Sequence, residues 1–323
     1  MRSVVFRRHG PAEEVVEVVE TPVPIPGPGQ VRVRLRARPI NPSDLLYIEG
    51  RYGRSAERFP AVPGFEGAGT VEAVGEGSSL RCGTKVAMAT AAAGTWQDRV
   101  VADADEVMAL PEALPESTGC QVSINPFTAL LLLRTCDPAP GDWIVQSAAS
   151  SAVGKMLLFL ARRSGLRCAC VARDPHRCEE LARLGADAVI DSAREPVEDR
   201  IREHTDGAAV ALDAVGGEIG TDLLRSLRDG GRFISYGMLS GKPVEAQPHD
   251  LVFRDITLEG FWLPPVWARV PVAERQRLAE RVLELVSEPG FVPTASAEFD
   301  LSDVRDAIHR ARSRHAGKVL LNG

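Results

Sequence analysis

The chain has 323 residues and a formal net charge of −6; 44% of its residues are hydrophobic and 25% are charged. This length predicts two domains, and the composition is that of ordinary globular proteins. The acidic balance argues against nucleic acid and acidic membranes as partners, because no cationic surplus exists to neutralise phosphates. The N-terminus lacks a signal-peptide core and no run approaches about 18 apolar residues, so we expect a cytoplasmic protein.

The six cysteines do not form a metal-binding pattern. None is part of a C-x-x-C pair, and Cys168 and Cys170 fall on the same predicted strand. Free cysteine is among the most frequently buried residues, so the spacing favours core thiols over a structural zinc cluster. We therefore predict no metal.

The N-terminal region is predicted to be rich in strands. Residues 30–38 alternate between apolar residues and arginines (Arg32, Arg34, Arg36 and Arg38), which predicts a half-buried strand with a solvated arginine face. A proline-rich connector, residues 22–28, precedes it.

Asn41-Pro42-Ser43-Asp44 opens a short helix. Asn41 suits the N-cap, Pro42 the first helical position, and Asp44 the first turn. Gly50 ends the helix, and the loop Arg51-Tyr52-Gly53 follows. Loops placed by a rigid scaffold are where catalytic residues concentrate, so Tyr52 is a candidate.

A nucleotide-binding pattern runs from Trp143 to Arg173. A strand (143–146), a turn of small residues (147–154), a helix (153–163) and a second strand (167–172) follow one another. This order is typical of the phosphate-binding half of a dinucleotide fold, in which the pyrophosphate meets the helix N-terminus.

The match to the G-x-G-x-x-G motif is partial, since the three positions hold Ala149, Ser151 and Gly154. Enzymes that use NAD carry Asp or Glu about 20 residues further on, at the tip of the second strand. Here the tip residue is Arg173, which favours the 2′-phosphate of NADP.

Strands and helices alternate up to Tyr236, which predicts a parallel doubly wound sheet that binds its ligand at the carboxyl ends of the strands. Beyond residues 260–263 the alternation stops. Two amphipathic helices, 272–286 and 302–312, follow, with Ser302 as the expected cap of the second. A closing strand begins at Lys318. We expect this tail to fold back onto the N-terminal domain.

Short motifs recur along the chain in a fixed order. They are Asn-Pro-Ser-Asp (41–44), Gly-x-Tyr (50–52), Gly-Thr-Trp (94–96), Ile-Asn-Pro-x-Thr-Ala (124–129), Arg-Asp (173–174), Val-Gly-Gly (215–217), Tyr-Gly (236–237) and Gly-Phe-Trp-Leu (260–263). With these motifs nearly the whole chain resembles the medium-chain dehydrogenase/reductase superfamily, in particular the zinc-free branch with mitochondrial-type trans-2-enoyl-thioester reductases.

The resemblance implies an α/β protein in which a Rossmann doubly wound parallel sheet is inserted into a β-rich GroES-like catalytic domain. Residues 1–121 and 264–323 are assigned to the catalytic domain, and residues 122–263 to the NADP-binding domain. The resemblance also suggests a homodimer. The edge strand 255–261 could pair across a two-fold axis, although the sequence alone does not show this.

The resemblance assigns roles to individual residues. Tyr52 matches the proton donor. The residues implied to line the NADPH site, with the turn glycine, are Asn125, Ser150, Ser151, Ala152, Val153, Gly154, Arg173, Tyr236, Gly237, Met238, Leu239, Phe261, Trp262, Leu263 and Lys318. Trp262 can equally fill the core, and Lys318 can equally be a solvated lysine. Pro175 and Ser147 depart from the usual pattern, which holds Arg and Asn at these two places.

Zinc chemistry is tested by the residues at the ligand positions. Zinc-dependent alcohol dehydrogenases of the superfamily have Cys and His where this chain has Asn41 and Phe65. Without the thiolate and the imidazole the ligand set cannot hold a catalytic zinc. Glu66 is interpreted as a structural carboxylate, and Asn41 chiefly as a helix cap, with support of Tyr52 as a further hypothesis.

The implied activity is that of an NADPH-dependent oxidoreductase, an enzyme that reduces the C=C bond of an α,β-unsaturated (trans-2-enoyl) thioester. Hydride would go to Cβ and a proton from Tyr52 to Cα, and the substrate would be carried on coenzyme A or acyl carrier protein. Two alternatives stay open. One is a zinc-independent NADPH:quinone oxidoreductase, and the other is a dinucleotide-binding sensor without turnover.

Overall fold

The computed structural model describes three stretches of the chain, residues 1–89, 94–313 and 317–323. Their contacts divide the chain into two compact units. Unit 1 comprises Met1–Ile124 and Leu278–Gly323, and unit 2 comprises Asn125–Arg277. Unit 1 is therefore built from both ends of the chain, whereas unit 2 is one continuous segment.

The N-terminal part of unit 1 consists mainly of strands. Its elements are β1 (Arg2–Phe6), α1 (Ala12–Val15), β2 (Val16–Glu20), β3 (Gln30–Pro39), α2 (Pro42–Ile48), β4 (Glu66–Val74), β5 (Lys85–Ala89), β6 (Arg99–Asp103), β7 (Val107–Ala109) and α3 (Glu116–Gly119). β3 pairs antiparallel with β4 and β6, and β1 pairs antiparallel with β2.

The alternation of β3 is confirmed for its apolar face, because Val31, Val33 and Leu35 are fully buried. The predicted solvated face is wrong at its last arginine. Arg38 is buried, and its guanidinium donates to the carbonyl oxygens of Thr95 at 3.0 Å and Gln97 at 2.8 Å. Burial lowers the pKa of Arg38 to about 10. These carbonyl acceptors are what allow a charged side chain inside the unit.

Unit 2 alternates strands and helices. Its elements are α4 (Asn125–Cys136), β8 (Trp143–Gln146), α5 (Ala152–Arg163), β9 (Arg167–Ala172), α6 (Pro175–Arg183), β10 (Ala188–Asp191), α7 (Val197–Thr205), β11 (Ala208–Asp213), α8 (Gly217–Arg225), β12 (Leu227–Ser235), α9 (Pro248–Val252), β13 (Thr257–Gly260) and α10 (Leu263–Arg269). The strands lie in the order β10-β9-β8-β11-β12-β13 and all pair in parallel.

This order reverses its direction between β8 and β11, which is the doubly wound topology, so the predicted fold class is confirmed. Helices cover both faces of such a sheet, which explains why every residue of β11 is buried. Among the described residues, no helix has both the length and the apolar composition that a membrane span requires.

The C-terminal part returns to unit 1. The division between the units falls within α11 (Val272–Val286), whose first residues, up to Arg277, belong to unit 2. The elements that follow are β14 (Ala295–Asp300), α12 (Val304–Arg312) and β15 (Lys318–Asn322). β15 pairs antiparallel with β3 and parallel with β14. The predicted cap of the last helix is wrong. Ser302 lies in a short 3-10 turn, where the side chain of Asp300 accepts its N–H at 2.9 Å, and α12 begins at Val304.

The unit boundary differs from the predicted one on its C-terminal side. Residues 264–277 were assigned to the catalytic domain, whereas their contacts place them in unit 2. The Trp267 ring packs edge-on against Phe127 of α4 with a centroid distance of 5.0 Å, and Arg134 of α4 pairs with Glu274. These contacts hold α10 and the start of α11 on α4.

Candidate active site

Tyr52 lies in unit 1, in the loop that follows α2. Gly50 precedes it with a φ of 73°, and a Cβ there would lie 2.8 Å from the ring of His9. Glycine is therefore required at this turn. The Tyr52 side chain is half-buried, and its ring packs on Phe65 with a centroid distance of 5.2 Å. The Tyr52 phenol is thus carried on a loop that turns at Gly50, and its ring is held against Phe65.

Asp44 connects Phe65 to the start of α2 through hydrogen bonds. Its buried carboxyl accepts the N–H of Asn41 at 2.7 Å and the N–H of Phe65 at 3.0 Å. The first bond belongs to a capping box at the start of α2. Burial raises the pKa of Asp44 to about 7, and the nearby Glu66 carboxylate adds to the rise, while the two N–H donors oppose it. One carboxyl therefore positions both α2 and Phe65.

A second buried network joins Asn41, Glu66 and Lys318, each at most 9% exposed. Asn41 Nδ2 donates to Glu66 Oε1 at 2.8 Å, and Asn41 Oδ1 accepts from Lys318 Nζ at 2.6 Å. Glu66 Oε2 also accepts the N–H of Ile124 at 3.1 Å. Burial raises the pKa of Glu66 to about 6 and lowers the pKa of Lys318, and the opposite charge of each residue resists the shift of the other.

In unit 2, a turn of small residues leads from β8 into α5. Ala148 has a φ of 48°, in the left-handed region. The hydroxyl of Ser151 caps α5 by accepting the N–H of Gly154 at 3.1 Å. A Cβ on Gly154 would lie 2.5 Å from the backbone oxygen of Ala149. The helix thus packs on the turn at a distance that only glycine permits.

Two features beside this turn suit a phosphate. The N–H groups of Ala152 and Val153, in the first turn of α5, have no intrahelical acceptor, and the helix N-terminus is electropositive. Arg173 directly follows β9 and is exposed. Within the described stretches its guanidinium has no hydrogen bond or ion pair, whereas Arg177 bonds Glu180 at 2.9 Å. Arg173 is thus available to an anion.

A buried pair joins the carboxyl ends of β8 and β11. Ser147 Oγ donates to Asp213 Oδ1 at 2.6 Å and accepts the N–H of Ala214 at 2.9 Å. Asp213 Oδ2 accepts the N–H of Gly216 at 2.8 Å. The φ of Gly216 is 73°. The pair sets the loop after β11 at the point where the strand order reverses, the usual ligand position of such sheets.

The other residues assigned to the cofactor follow β12 and β13 or begin α4, except Ser150, which lies in the turn after β8. The phenol oxygen of Tyr236 is buried without a hydrogen-bond partner among the described residues, and burial, with the charge of Asp213, raises its pKa. The more exposed of them are Met238 at 46%, Leu239 at 55% and Trp262 at 37%. The remaining ones are partly or fully buried: Asn125, Ser150, Gly237, Phe261 and Leu263.

Unit 2 therefore contains every residue assigned to the NADPH site except Lys318, which lies on β15 in unit 1. The Lys318 ammonium is not the solvated cation of the alternative interpretation, because it is buried and bonded to Asn41. An ammonium has three donors, so the bond to Asn41 leaves donors for a second acceptor.

Comparisons with known proteins place this geometry in a family. Residues 27–112 match the family model of the alcohol dehydrogenase GroES-like domain, and residues 152–286 match that of the zinc-binding dehydrogenases. Human mitochondrial enoyl-[acyl-carrier-protein] reductase is 32% identical over 317 residues, which cover 95% of this chain and 84% of that protein. The chain belongs to the medium-chain dehydrogenase/reductase superfamily. The predicted membership is thereby confirmed.

Solved members of the superfamily are similar along the whole chain. The complex of Etr1p with NADP and crotonyl-CoA has a TM-score of 0.85 and 26% identity, and the similarity covers 100% of this chain and 99% of that one. The Etr1p/Etr2p heterodimer, a mitochondrial 2-enoyl thioester reductase from Candida tropicalis, gives the same values. The quinone oxidoreductase of Thermus thermophilus, solved alone and with NADPH, has a TM-score of 0.84 and 26% identity over 100% of both chains.

The chain is accordingly an oxidoreductase of this superfamily, and NADP or NADPH, the predicted cofactor, is bound in solved relatives. At the two zinc-ligand positions the structure shows other roles. Asn41 bonds Glu66 and Lys318, and the Phe65 ring contacts the rings of Tyr52 and Tyr47. Among the described residues, no cluster of His, Cys, Asp and Glu has the composition of a metal site.

Sequence reasoning missed the partners that hold these residues in place. Phe65 was considered only as the replacement of a zinc ligand, and Asp44 only as a first-turn acid. Asp213 was given no role. A signal existed for Asp213, because a carboxylate that ends a fully apolar strand must find donors nearby. No local pattern links Phe65 to Tyr52 or Lys318 to Asn41.

Proposed function

We propose that the protein uses NADPH to reduce the C=C bond of a trans-2-enoyl thioester. The observation that carries this proposal is Tyr52, a phenol packed on Phe65 in a unit whose zinc-ligand positions hold an amide and an aromatic ring. A conjugate reduction without a metal needs an acid of this kind. The similarity to enoyl-[acyl-carrier-protein] reductases over 95% of the chain supports the substrate class.

The residues of unit 2 fit the cofactor. Gly154 provides the close approach to the turn, and the N–H groups of Ala152 and Val153 face no intrahelical acceptor, so this turn would hold the pyrophosphate. The unpaired Arg173 would bind the 2′-phosphate and so select NADPH over NADH. When bound, NADPH supplies the hydride that goes to Cβ of the substrate.

Tyr52 would complete the reaction at Cα. Addition at Cβ leaves an enolate, which becomes the saturated thioester when Cα receives a proton. A phenol is protonated at neutral pH, so the hydroxyl of Tyr52 can donate this proton and regain one from solvent. Phe65 and Asp44 hold the ring in place, which limits the orientations in which the acid is presented.

Quinone reduction by NADPH is the second candidate, favoured by the similarity to the Thermus thermophilus quinone oxidoreductase. It would use the same residues of unit 2. It has no obligatory acid, and Tyr52 would then have no assigned role in the reaction.

The test is NADPH oxidation by the purified protein with crotonyl-CoA and, in parallel, with a simple quinone, each repeated with NADH. We expect rapid, NADPH-specific turnover of the thioester. Tyr52→Phe should lower kcat for crotonyl-CoA about 100-fold and leave any quinone turnover unchanged. Tyr47→Phe is the matched control, because its ring also packs on Phe65, at 5.3 Å.

Turnover of the quinone alone would reject the enoyl proposal. Tight NADPH binding without turnover of either acceptor would instead favour the non-catalytic sensor.

We further propose a homodimer that forms through β13. This strand ends the sheet of unit 2, so its outer edge has unpaired backbone groups, and Leu258 on it is 48% exposed. Edge strands of this kind pair readily across a two-fold axis. Light scattering of the purified protein should give twice the monomer mass, and Leu258→Lys should shift it toward the monomer.

A further inference from the structure

The loop after α2, residues 51–60, carries an excess of cations; we call it the arginine loop. Arg51, Arg54 and Arg58 lie within eight residues, and Glu57 is the one acid among them. All four charged side chains are exposed. The chain as a whole has a net charge of −6, so this loop is a local surface of opposite sign.

Two of these arginines are available to a ligand. Arg51 lies 3.4 Å from Glu49, whose carboxylate also pairs with Arg312. Arg54 and Arg58, in contrast, have no hydrogen bond or ion pair in the part of the chain that the structure describes. Guanidinium groups left without an internal partner can bind an external anion without first breaking a bond within the protein.

A third arginine, Arg8, lies two residues after β1, in a segment that contacts the arginine loop. The ring of His9 packs edge-on against Phe59 of the arginine loop, with a centroid distance of 5.2 Å, and His9 Nδ1 lies 3.1 Å from the carbonyl oxygen of Ile48. Arg8, the neighbour of His9, is exposed and has no ion pair within residues 1–89, 94–313 and 317–323. The base of the loop is therefore attached to a segment with a cation of its own.

We propose that Arg54 and Arg58, assisted by Arg8, bind the phosphate of the 4′-phosphopantetheine arm that carries the acyl thioester. Coenzyme A and acyl carrier protein share this arm, which has the thioester at one end and a phosphate at the other. The inference rests on the proposed enoyl reduction. Arginine suits it better than lysine, because its planar fork matches two phosphate oxygens at once.

Both arginines are close to Tyr52 in the sequence. Arg54 is two residues beyond Tyr52 and Arg58 is six beyond it, so extended backbone carries them at most about 7 Å and about 21 Å away. With the reacting carbon at Tyr52, the phosphate end of the arm would extend in the direction of these cations. The arginine loop would thus recognise the carrier, while Tyr52 acts on the acyl group.

The experiment compares substrates with and without the phosphate. Crotonyl-CoA, crotonyl acyl carrier protein and crotonyl-N-acetylcysteamine, which has no phosphate, are reduced by the wild type and by Arg54→Gln/Arg58→Gln. We expect kcat/KM of the double variant to fall about tenfold for both carriers, mainly through a rise in KM. This fall should be smaller at high salt, because salt screens the attraction between arginine and phosphate. For the N-acetylcysteamine thioester kcat/KM should stay within about twofold.

Arg34→Gln/Arg36→Gln is the matched control, since both arginines are exposed on β3 of the same unit and have no ion pair among the described residues. It should leave all three substrates unaffected. Equal losses with and without the phosphate would overturn the inference. A loss confined to crotonyl-CoA would also overturn it, because the adenosine phosphates, which acyl carrier protein lacks, would then be what the loop binds.

The outcomes separate this inference from the proposed function. If the wild type reduces none of the thioesters, the enoyl reductase proposal fails. If it reduces the N-acetylcysteamine thioester in a Tyr52-dependent way and the double variant handles every carrier normally, the arginine loop inference fails alone.

Discussion

The two units provide their functional groups in different ways. In unit 1, Tyr52 is positioned by side chains, and the residues around it form buried networks that join distant parts of the sequence, as in the bond of Lys318 to Asn41. In unit 2, the turn from β8 to α5 uses mainly backbone groups and small residues that are neighbours in sequence, with Arg173 exposed at its side.

The difference predicts which property a substitution changes. A residue in the buried networks of unit 1 contributes to stability as well as to activity, because removing it leaves a charged or polar partner buried alone. A residue at the turn of unit 2 should affect cofactor binding with little effect on the fold.

The largest effect on stability is expected for Lys318→Met. Glu66 would remain buried without its opposite charge, so the free energy of unfolding should fall by about 3 kcal/mol. Denaturation in urea measures this change. Lys318→Met/Glu66→Gln should recover most of the loss, and Lys242→Met, at an exposed lysine, should change stability by less than about 0.5 kcal/mol. A loss below about 1 kcal/mol for the single variant would contradict the role of the network.

Gly154→Ala tests the turn from β8 to α5, where unit 2 uses backbone groups. The added Cβ would lie 2.5 Å from the Ala149 oxygen, so the turn must shift. The shift displaces the N–H groups proposed to hold the pyrophosphate, and we expect the dissociation constant of NADPH to rise about 30-fold. Fluorescence titration with NADPH measures this. In Gly260→Ala the added Cβ meets nothing within 4 Å, and this control should bind NADPH normally. Unchanged affinity in Gly154→Ala would show that the turn does not hold the cofactor.

Arg173→Gln should change cofactor selectivity alone. The loss of one charge-assisted contact predicts about a tenfold rise in KM for NADPH, with KM for NADH and the melting temperature unchanged. Arg177→Gln should have a smaller effect, because Arg177 is already bonded to Glu180. An equal rise for both cofactors would remove the assignment of Arg173 to the 2′-phosphate.

The smallest effect, for a change of a single pH unit, is a pH dependence of the stability of unit 1. The pKa of Asp44 is raised to about 7 and that of Glu66 to about 6, so the folded state holds these protons more tightly than the unfolded state. Their contribution is complete below about pH 4 and is lost as the pH rises through the two raised values, by about 1 kcal/mol per pH unit.

Thermal unfolding between about pH 4 and about pH 7 checks this sign, since Glu66→Gln should flatten the decline of stability with pH. Asp98→Asn is the contrasting control. Burial opposes ionisation of Asp98, but the bonds from Arg2 outweigh it and lower its pKa. The stabilisation by Asp98 is therefore present above its unfolded pKa and lost on acidification. A decline with pH that is unchanged or steeper in Glu66→Gln would contradict the interpretation.

Local patterns were sufficient to predict most of unit 2. The apolar strands, the helices between them and the small residues at 147–154 each have a signature within a few residues, and the predicted doubly wound sheet is present. The same method predicted the strand β3 and the helix after Asn41. It was wrong at Ser302, whose N–H is itself bonded by Asp300 in a 3-10 turn, and at the solvated face of β3, where Arg38 is buried. By contacts, unit 1 resumes at residue 278, whereas the sequence placed this return at residue 264.

The networks of unit 1 could not be predicted in this way, because their partners are far apart in sequence. Arg38 belongs to an alternating pattern that predicts exposure, and only the carbonyls of Thr95 and Gln97 explain its burial. The packing of Tyr52 on Phe65 and the bond from Lys318 to Asn41 depend on strands that meet only in the folded unit.

The discontinuity of unit 1 has a consequence for the order of folding during synthesis. Unit 2, Asn125–Arg277, is one uninterrupted segment and can be completed while the ribosome is still translating the C-terminal strands. β3 can pair with β15 only after the C-terminus has been synthesised. β15 also supplies Lys318. Until then Glu66 and Asn41 lack the Lys318 ammonium, so a nascent chain can hold a finished unit 2 before the buried network of unit 1 is complete.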